Sequence, residues 1–159
     1  MTYKETKNHL SKAGLVKTCP VDVQAITRLI RRAYTDLRTA KRNLDEDHEC
    51  AYTYAYNAML RSGIALMFNE GYRPDIKEKH RTIVRFASTV LGDAYQQLIN
   101  DYDFMRKKRH QFIYEPDIPC SMREASEALK TARAFVNQVA ELVRAKNPQR
   151  EFDFGKEPS

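Results

Sequence analysis

The sequence predicts an all-α protein, an up-and-down bundle of about five helices. Apolar residues recur at helical spacing along several long segments, which predicts helices that each bury one face. The chain of 159 residues contains only 5 glycines and 6 prolines, and this scarcity of turn-forming residues disfavours a multi-stranded sheet. We therefore expect one helical domain over residues 1–146, followed by a flexible tail over residues 147–159.

The composition is that of a globular protein, with 42% apolar and 30% charged residues. No apolar run is long enough to cross a bilayer and no apolar leader opens the chain, so we expect a cytoplasmic protein without a membrane partner. Cys19, Cys50 and Cys120 are far apart and form no C-x-x-C pair, which favours free thiols. The formal net charge of +6 permits an anionic partner but does not identify one.

The first half of the chain predicts two long helices. A short helix is expected around residues 4–12, before a break at Pro20, and the first long helix is expected over about 21–44. Its apolar stripe consists of Val23, Ile26, Ile30, Ala33, Leu37, Ala40 and Leu44. Asp47 is the expected N-cap of the second long helix, over about 48–69, and Gly71 is its expected stop. Small residues along this helix would let a neighbouring helix approach closely.

Three pairs with capping-box spacing predict the starts of the remaining helices. The pairs are Asp75 with Glu78, Asp93 with Gln96, and Ser121 with Glu124. Gly92 ends the first of these helices, and Pro116 ends the second near residues 113–114. The last helix is expected to run to about Lys146, and the polar tail that follows is expected to expose Phe152 and Phe154.

One arginine lies on the apolar stripe of the helix that ends near residue 114. Leu98, Tyr102, Met105, Arg109 and Phe112 follow a 4, 3, 4, 3 spacing that is typical of one buried face. Burying an unpaired charge costs several kcal/mol, so Arg109 needs a carboxylate partner, access to water, or an anionic ligand. The carboxylates available for an internal salt bridge are Glu46, Asp47, Glu49 and Asp103.

Arg106, Lys107 and Lys108 precede this arginine and can reach solvent or phosphate. Cations near a helix C-terminus are also favoured by the helix dipole, so a solvated basic face is the alternative interpretation. The chain has no glycine-rich phosphate loop, no G-x-S-x-G and no H-E-x-x-H. No two histidines have metal-ligand spacing on one helix, so neither a metal nor a cofactor is expected. His80, on an apolar stripe, is interpreted as a partly buried histidine whose hydrogen bonds are satisfied.

Three features together resemble the HEPN superfamily, the higher eukaryotes and prokaryotes nucleotide-binding domains. They are the arginine-rich helix TRLIRRAYTDLRTAKRNL, the small-residue helix AYTYAYNAMLRSGIALMFNEGYRP closed by glycine, and a late helix whose end carries an arginine followed by a polar residue. The resemblance covers about residues 8–146. The family motif is an arginine, often a polar residue, and a histidine after a short spacer. Arg109 and His110 match its beginning, and Tyr114 occupies the position of the terminal histidine.

The resemblance implies a homodimer in which two motifs meet across a symmetric groove. Active members resemble metal-independent ribonucleases, in which a base activates the ribose 2′-OH and the arginine stabilises phosphate charge. On that basis the catalytic candidates are Arg109, His110 and Tyr114, and the nucleic-acid-binding candidates are Arg106, Lys107 and Lys108. Tyrosine is a poor general base at neutral pH, although its ring can stack on a nucleobase.

Three hypotheses remain open. The chain could be a HEPN-like module that binds nucleotide or RNA, in a toxin–antitoxin, defence or nucleotidyltransferase-associated system, with an antitoxin or a nucleotidyltransferase as partner. It could instead be an active toxin-type ribonuclease. The third hypothesis is a dimeric interaction module, docking through its tail, without a nucleic-acid role. The missing histidine favours the first hypothesis over the second, and the basic cluster favours it over the third.

Overall fold

The protein is a bundle of α-helices with a single two-stranded sheet, as seen in a computed structural model that describes residues 2–155. The helices are α1 (Tyr3–Lys12), α2 (Val23–Arg42), α3 (His48–Asn69), α4 (Lys79–Leu91), α5 (Gln96–Tyr114) and α6 (Met122–Lys146), with a 3-10 turn at Asp93–Tyr95 before α5. The strands are β1 (Val16–Thr18) and β2 (Tyr72–Pro74). The predicted all-α class and the five main helices are confirmed.

Helix α3 is the centre of the bundle, because it packs against α2, α4, α5 and α6. Its apolar and small side chains are buried on nearly every face, including Ala55, Tyr56, Ala58 and Met59 at 0% exposure. The predicted ladder of small residues allows this close packing. Ser62 is also fully buried, and its hydroxyl donates to the carbonyl oxygen of Ala58 at 2.9 Å.

The structure confirms two of the predicted helix caps and shows a third that was not predicted. Asp47 caps α3 by accepting a hydrogen bond from the backbone N–H of Cys50 at 2.9 Å, as predicted. Ser121 likewise caps α6 by accepting from the N–H of Glu124 at 3.1 Å, as predicted. The start of α1 carries a capping box between Thr2 and Glu5, which the sequence analysis did not single out.

The predicted capping boxes at Asp75 and Asp93 are wrong. Asp75 instead forms an ion pair with Lys17 at 2.9 Å, beside the sheet, and α4 begins four residues later than its position. Glu78 precedes that helix in a left-handed backbone conformation, with φ of 52°, and makes no side-chain cap. Asp93 lies in the 3-10 turn, and α5 begins at Gln96 without a side-chain cap.

The antiparallel sheet was also missed. It pairs Val16 with Pro74 and Thr18 with Tyr72, and it ties the segment after α1 to the segment after α3. Each strand has only three residues, which is too short for alternation to be recognised in a sequence.

The expectation that Phe154 is exposed is wrong, because its side chain is 1% exposed. The guanidinium carbon of Arg144 lies 4.9 Å from its ring centroid, and its ring stacks on that of Phe152 at 5.1 Å. Arg31 of α2 donates to the backbone carbonyl of Asp153 at 2.7 Å. The end of the segment 147–155 thus packs against α2 and α6. Residues 156–159 of the predicted tail lie outside the described residues.

Between residues 2 and 155, no helix combines the length and the apolar character that a membrane span requires. The three cysteines are free thiols, as predicted.

Candidate functional site

Helix α5 places the candidate residues, and its apolar stripe fixes how it packs. Tyr102, Met105 and Phe112 are buried on this stripe, as the spacing predicts. The ring of Phe112 meets Tyr52 of α3 edge-on at 5.3 Å, and the ring of Tyr102 meets Phe135 of α6 at 5.0 Å. These contacts seat α5 on α3 and α6, and they orient Arg109 toward the bundle.

Arg109 is half-buried over the ring of Tyr56, which is fully buried in α3. Its guanidinium carbon lies 5.6 Å from the ring centroid, a cation–π distance. The Nε atom is buried and has no hydrogen-bond partner in the described part of the chain. The terminal guanidinium nitrogens are not among the buried unpaired atoms and make no hydrogen bond to residues 2–155, so they reach solvent.

Arg109 forms no ion pair with any carboxylate among residues 2–155. The internal salt bridge left open by the sequence analysis is therefore not what the structure contains. Of the four candidate carboxylates, Asp103 is instead paired with Arg106 at 2.9 Å and with Lys107 at 3.2 Å. Asp47 is used as the N-cap of α3. The guanidinium rests on an aromatic face and has no charge partner of its own.

His80, at the start of α4, is joined to the same tyrosine. The Tyr56 hydroxyl and His80 Nδ1 are 2.6 Å apart, and the two rings lie nearly parallel, with 13° between their planes. Burial raises the pKa of Tyr56, so its hydroxyl keeps its proton. Which of the two groups donates in this hydrogen bond depends on the tautomer of the imidazole. Burial, and then the charges of Arg109, Lys79 and Arg106, lower the pKa of His80. His80 is partly buried, as predicted, and the structure gives a hydrogen-bond partner to its Nδ1 alone among the described residues. Its place beside Arg109 was missed.

The sequence held no signal for that proximity. His80 and Tyr56 are on different helices from Arg109, and only the packing of α4 and α5 against α3 brings the three together. A histidine on an apolar stripe predicts burial, and nothing in helical spacing says which charged side chain it meets.

The basic cluster before Arg109 is divided between two sides of α5. Arg106 and Lys107 both pair with Asp103 and line a groove of about 740 Å³ between α1, α4 and α5. Lys108 faces α6, where it pairs with Glu124 at 3.4 Å and lies 5.6 Å from the Phe112 ring centroid. The Lys107 side chain is 65% exposed, against 19% for Lys108, so Lys107 is the cation most available to a ligand.

The groove itself carries mixed charge. Its charged lining consists of Arg81, Arg85, Arg106 and Lys107 together with Glu78, Asp93 and Asp103. The acids offset much of the positive charge, so the groove alone does not favour an anion.

His110 and Tyr114 are one helical turn apart at the exposed end of α5. Their ring centroids are 4.5 Å apart, with 43° between the planes, and Tyr114 is 71% exposed. Among the described residues, neither ring shares a hydrogen bond or a ring contact with Arg109. The three catalytic candidates are therefore not gathered within one chain: Arg109 lies over Tyr56, and the two rings face outward.

Between residues 2 and 155, no group of three or more His, Cys, Asp or Glu side chains is placed to hold a metal ion.

Comparison with known proteins gives one match. A family model described as HEPN domain matches residues 26–142, which is well over half of the chain. The matched region begins in α2 and ends in α6, so it contains Tyr56, His80 and the whole of α5. No curated protein and no solved structure matches the chain significantly.

Proposed function

We propose that this chain, which belongs to the HEPN domain family, binds nucleotide or RNA through the C-terminal half of α5 and that Arg109 is its phosphate contact. The observation that carries the proposal is the guanidinium of Arg109, which has no carboxylate partner in residues 2–155 and a buried Nε without a hydrogen-bond partner. A half-buried cation in that state is costly unless something else satisfies it. A phosphate group can accept two parallel hydrogen bonds from a guanidinium, which fits the terminal nitrogens that reach solvent.

The exposed end of α5 supports the same function. Tyr114 and His110 present two neighbouring rings on which unpaired bases can stack. Lys107 adds an exposed cation that can attract the phosphate backbone without reading sequence. Binding of single-stranded RNA is therefore favoured over recognition of a duplex.

We propose that a second copy of the chain completes the binding site at the C-terminal end of α5. Large apolar side chains are exposed at the end of α5 and the start of α6, namely Ile113 at 55%, Tyr114 at 71% and Met122 at 45%. Contact between two such ends would bring two sets of Arg109, His110 and Tyr114 together, which a single chain does not do. Light scattering should give twice the chain mass, and a monomer at high concentration would contradict this part.

The biological setting is proposed on the family alone. It is a toxin–antitoxin, defence or nucleotidyltransferase-associated system in the cytoplasm, with an antitoxin or nucleotidyltransferase as partner. The free thiols agree with a reducing compartment. The docking of Phe154 on the protein itself removes the exposed tail that favoured an interaction module without RNA.

The test is binding of a short fluorescent single-stranded oligoribonucleotide, measured by anisotropy. Arg109→Ala should weaken binding by about tenfold or more. Arg28→Ala, which removes the same charge from an exposed position on α2, is the matched control and should change binding little. If the two variants weaken binding equally, RNA binding depends only on the net charge of the protein. That result would contradict a specific role for Arg109.

The salt dependence of binding tests the basic cluster. Lys107→Ala should lower the slope of log K against log salt by about 0.7, the value for one phosphate contact on a single strand. Lys108→Ala should lower it less, because this lysine is paired with Glu124 and largely covered. The exposed Lys130 of α6 is the control position.

Metal-independent ribonuclease activity is the second candidate function, favoured by the paired rings of His110 and Tyr114 at the end of the helix that carries Arg109. Incubation of the protein with mixed RNA and EDTA tests it. Cleavage that Arg109→Ala and His110→Ala both abolish would establish the enzyme. If the RNA is bound but not cleaved, the result supports the RNA-binding module and contradicts the ribonuclease.

A further inference from the structure

We infer that His80 is a second phosphate-binding group of this site, and that Tyr56 orients it so that Nε2–H donates to the anion held by Arg109. The inference rests on the proposed function, because it assumes that the anion is a phosphate of nucleotide or RNA. It adds a residue that lies outside the motif on α5 and belongs to another helix.

The first support is the position of the two side chains around one ring. Tyr56 is fully buried, and it contacts Arg109 through its face and His80 through its hydroxyl. Both of these neighbours are only half-buried, and they are near each other, because the charge of Arg109 contributes to the lowered pKa of His80. A group that binds one of them from solvent comes close to the other.

The second support is the hydrogen bonding of the imidazole. The Tyr56 hydroxyl is bonded to Nδ1, and in the arrangement that we infer the hydroxyl donates, which leaves the proton of the neutral ring on Nε2. Nε2 has no hydrogen-bond partner among residues 2–155, and it is not one of the buried unpaired atoms, so it reaches solvent. The site therefore offers a donor that is already oriented and has nothing to donate to within the described chain.

The third support is the charge around His80. Arg109 and Arg106 face it from α5, Lys79 flanks it on α4, and Tyr56 faces it from α3. The nearby carboxylate of Asp103 is already paired with Arg106 and Lys107. Burial and then these cations lower the pKa of His80 in the free chain, and a bound phosphate would offset the cations and raise that pKa.

Linkage then fixes the direction of the pH dependence. If RNA raises the pKa of His80, the complex binds more protons than the free protein in the window between the two pKa values. RNA affinity therefore rises as the pH falls through that window. A rise of one pKa unit corresponds to about tenfold in affinity across the full window.

The experiment follows the His80 ring by NMR in the unmodified chain, with and without a short single-stranded oligoribonucleotide. The inference expects the Nε2–H tautomer in the free protein and a higher pKa in the complex. Inorganic phosphate in place of RNA should shift the pKa in the same direction, since the contact is to phosphate. An unchanged His80 pKa in a complex that still depends on Arg109 would overturn the inference and leave the proposed function standing.

Variants give an independent readout. His80→Gln should remove most of the pH dependence of RNA binding between about pH 5.5 and 7.5, while His9→Gln, at an exposed position on α1, should keep it. Tyr56→Phe should weaken binding by a few fold, because it leaves Nδ1 without its donor. Identical pH profiles for His80→Gln and the unmodified chain would contradict the inference. A chain that binds no RNA at any pH would overturn the proposed function and the inference together.

Discussion

Two arginines of this bundle, Arg61 and Arg109, have opposite surroundings. Arg61, on α3, donates from Nε to the carboxylate of Asp36 at 2.7 Å, and Arg32 lies 3.5 Å from the other oxygen of that fully buried aspartate. Arg109, on α5, packs over Tyr56 and has no carboxylate partner among residues 2–155. The chain can therefore pair a half-buried arginine when the role is structural. At Arg109 we propose that an anion from outside the chain is the partner.

The charges around Arg61 and around Arg109 also differ. Burial raises the pKa of Asp36, and the charges of Arg61 and Arg32 counteract that rise, so the region contains its own balance of charge. Near Arg109 lies His80, whose pKa is lowered by burial and by surrounding cations. Asp36 is paired with Arg61 and Arg32, whereas Asp103 is paired with Arg106 and Lys107 and not with Arg109.

The largest expected effect is at the internal pair. Asp36→Ala should lower the free energy of unfolding by about 3 kcal/mol, because it leaves Arg61 without its carboxylate in a partly buried position. Urea denaturation measures this, and the m-value should stay unchanged if the native state is otherwise intact. If the free energy of unfolding falls by less than about 0.5 kcal/mol, the Asp36–Arg61 pair contributes no more than an exposed salt bridge. That result would contradict the contrast between Arg61 and Arg109.

A smaller effect of opposite sign is expected at Arg109. Arg109→Met keeps an unbranched side chain over Tyr56 and removes the buried, unpaired Nε, so the free energy of unfolding should rise by about 0.5–1 kcal/mol. RNA binding should weaken in the same protein. A marked loss of stability would mean that the guanidinium has an internal role that outweighs its unpaired nitrogen.

The smallest effect is the contribution of His80 to acid stability. Its folded pKa lies below the unfolded value of about 6.5, so below that pH the unfolded chain takes up a proton that the folded chain does not. Stability therefore falls as the pH drops from about 6.5 toward the folded pKa. His80→Gln should flatten this part of the profile of unfolding free energy against pH. A profile that does not change would show that His80 titrates alike in both states.

Much of the bundle could be predicted from sequence, and the reason is local. The stripes of α2, α5 and α6 recur at helical spacing, and Asp47 and Ser121 cap their helices within three residues, so short-range patterns carry the information. The boxes predicted at Asp75 and Asp93 were wrong because a distant lysine pairs with Asp75 and a 3-10 turn holds Asp93. Those competing contacts are set by tertiary structure.

For the candidate site too, the pattern along one helix was predictable from the sequence and the contacts between helices were not. The stripe on α5 identified Arg109 as the arginine that packs inward, and the structure agrees. Its lack of a carboxylate, its contact with Tyr56 and the presence of His80 all depend on how three helices meet. Spacing along one helix cannot supply such contacts, and the burial of Phe154 against α2 and α6 was missed for the same reason.

The most direct test of the central claim is to measure the unfolding free energy and the RNA affinity of Arg61→Ala and Arg109→Ala side by side. The account predicts a crossed pattern. Arg61→Ala loses about 2–3 kcal/mol of stability, because Asp36 is left buried with a weaker partner, and still binds RNA. Arg109→Ala keeps its stability to within about 1 kcal/mol and binds RNA at least about tenfold more weakly. If Arg109→Ala loses as much stability as Arg61→Ala, or if it binds RNA as well as the unmodified chain, the claim that Arg109 is held for an outside anion is contradicted.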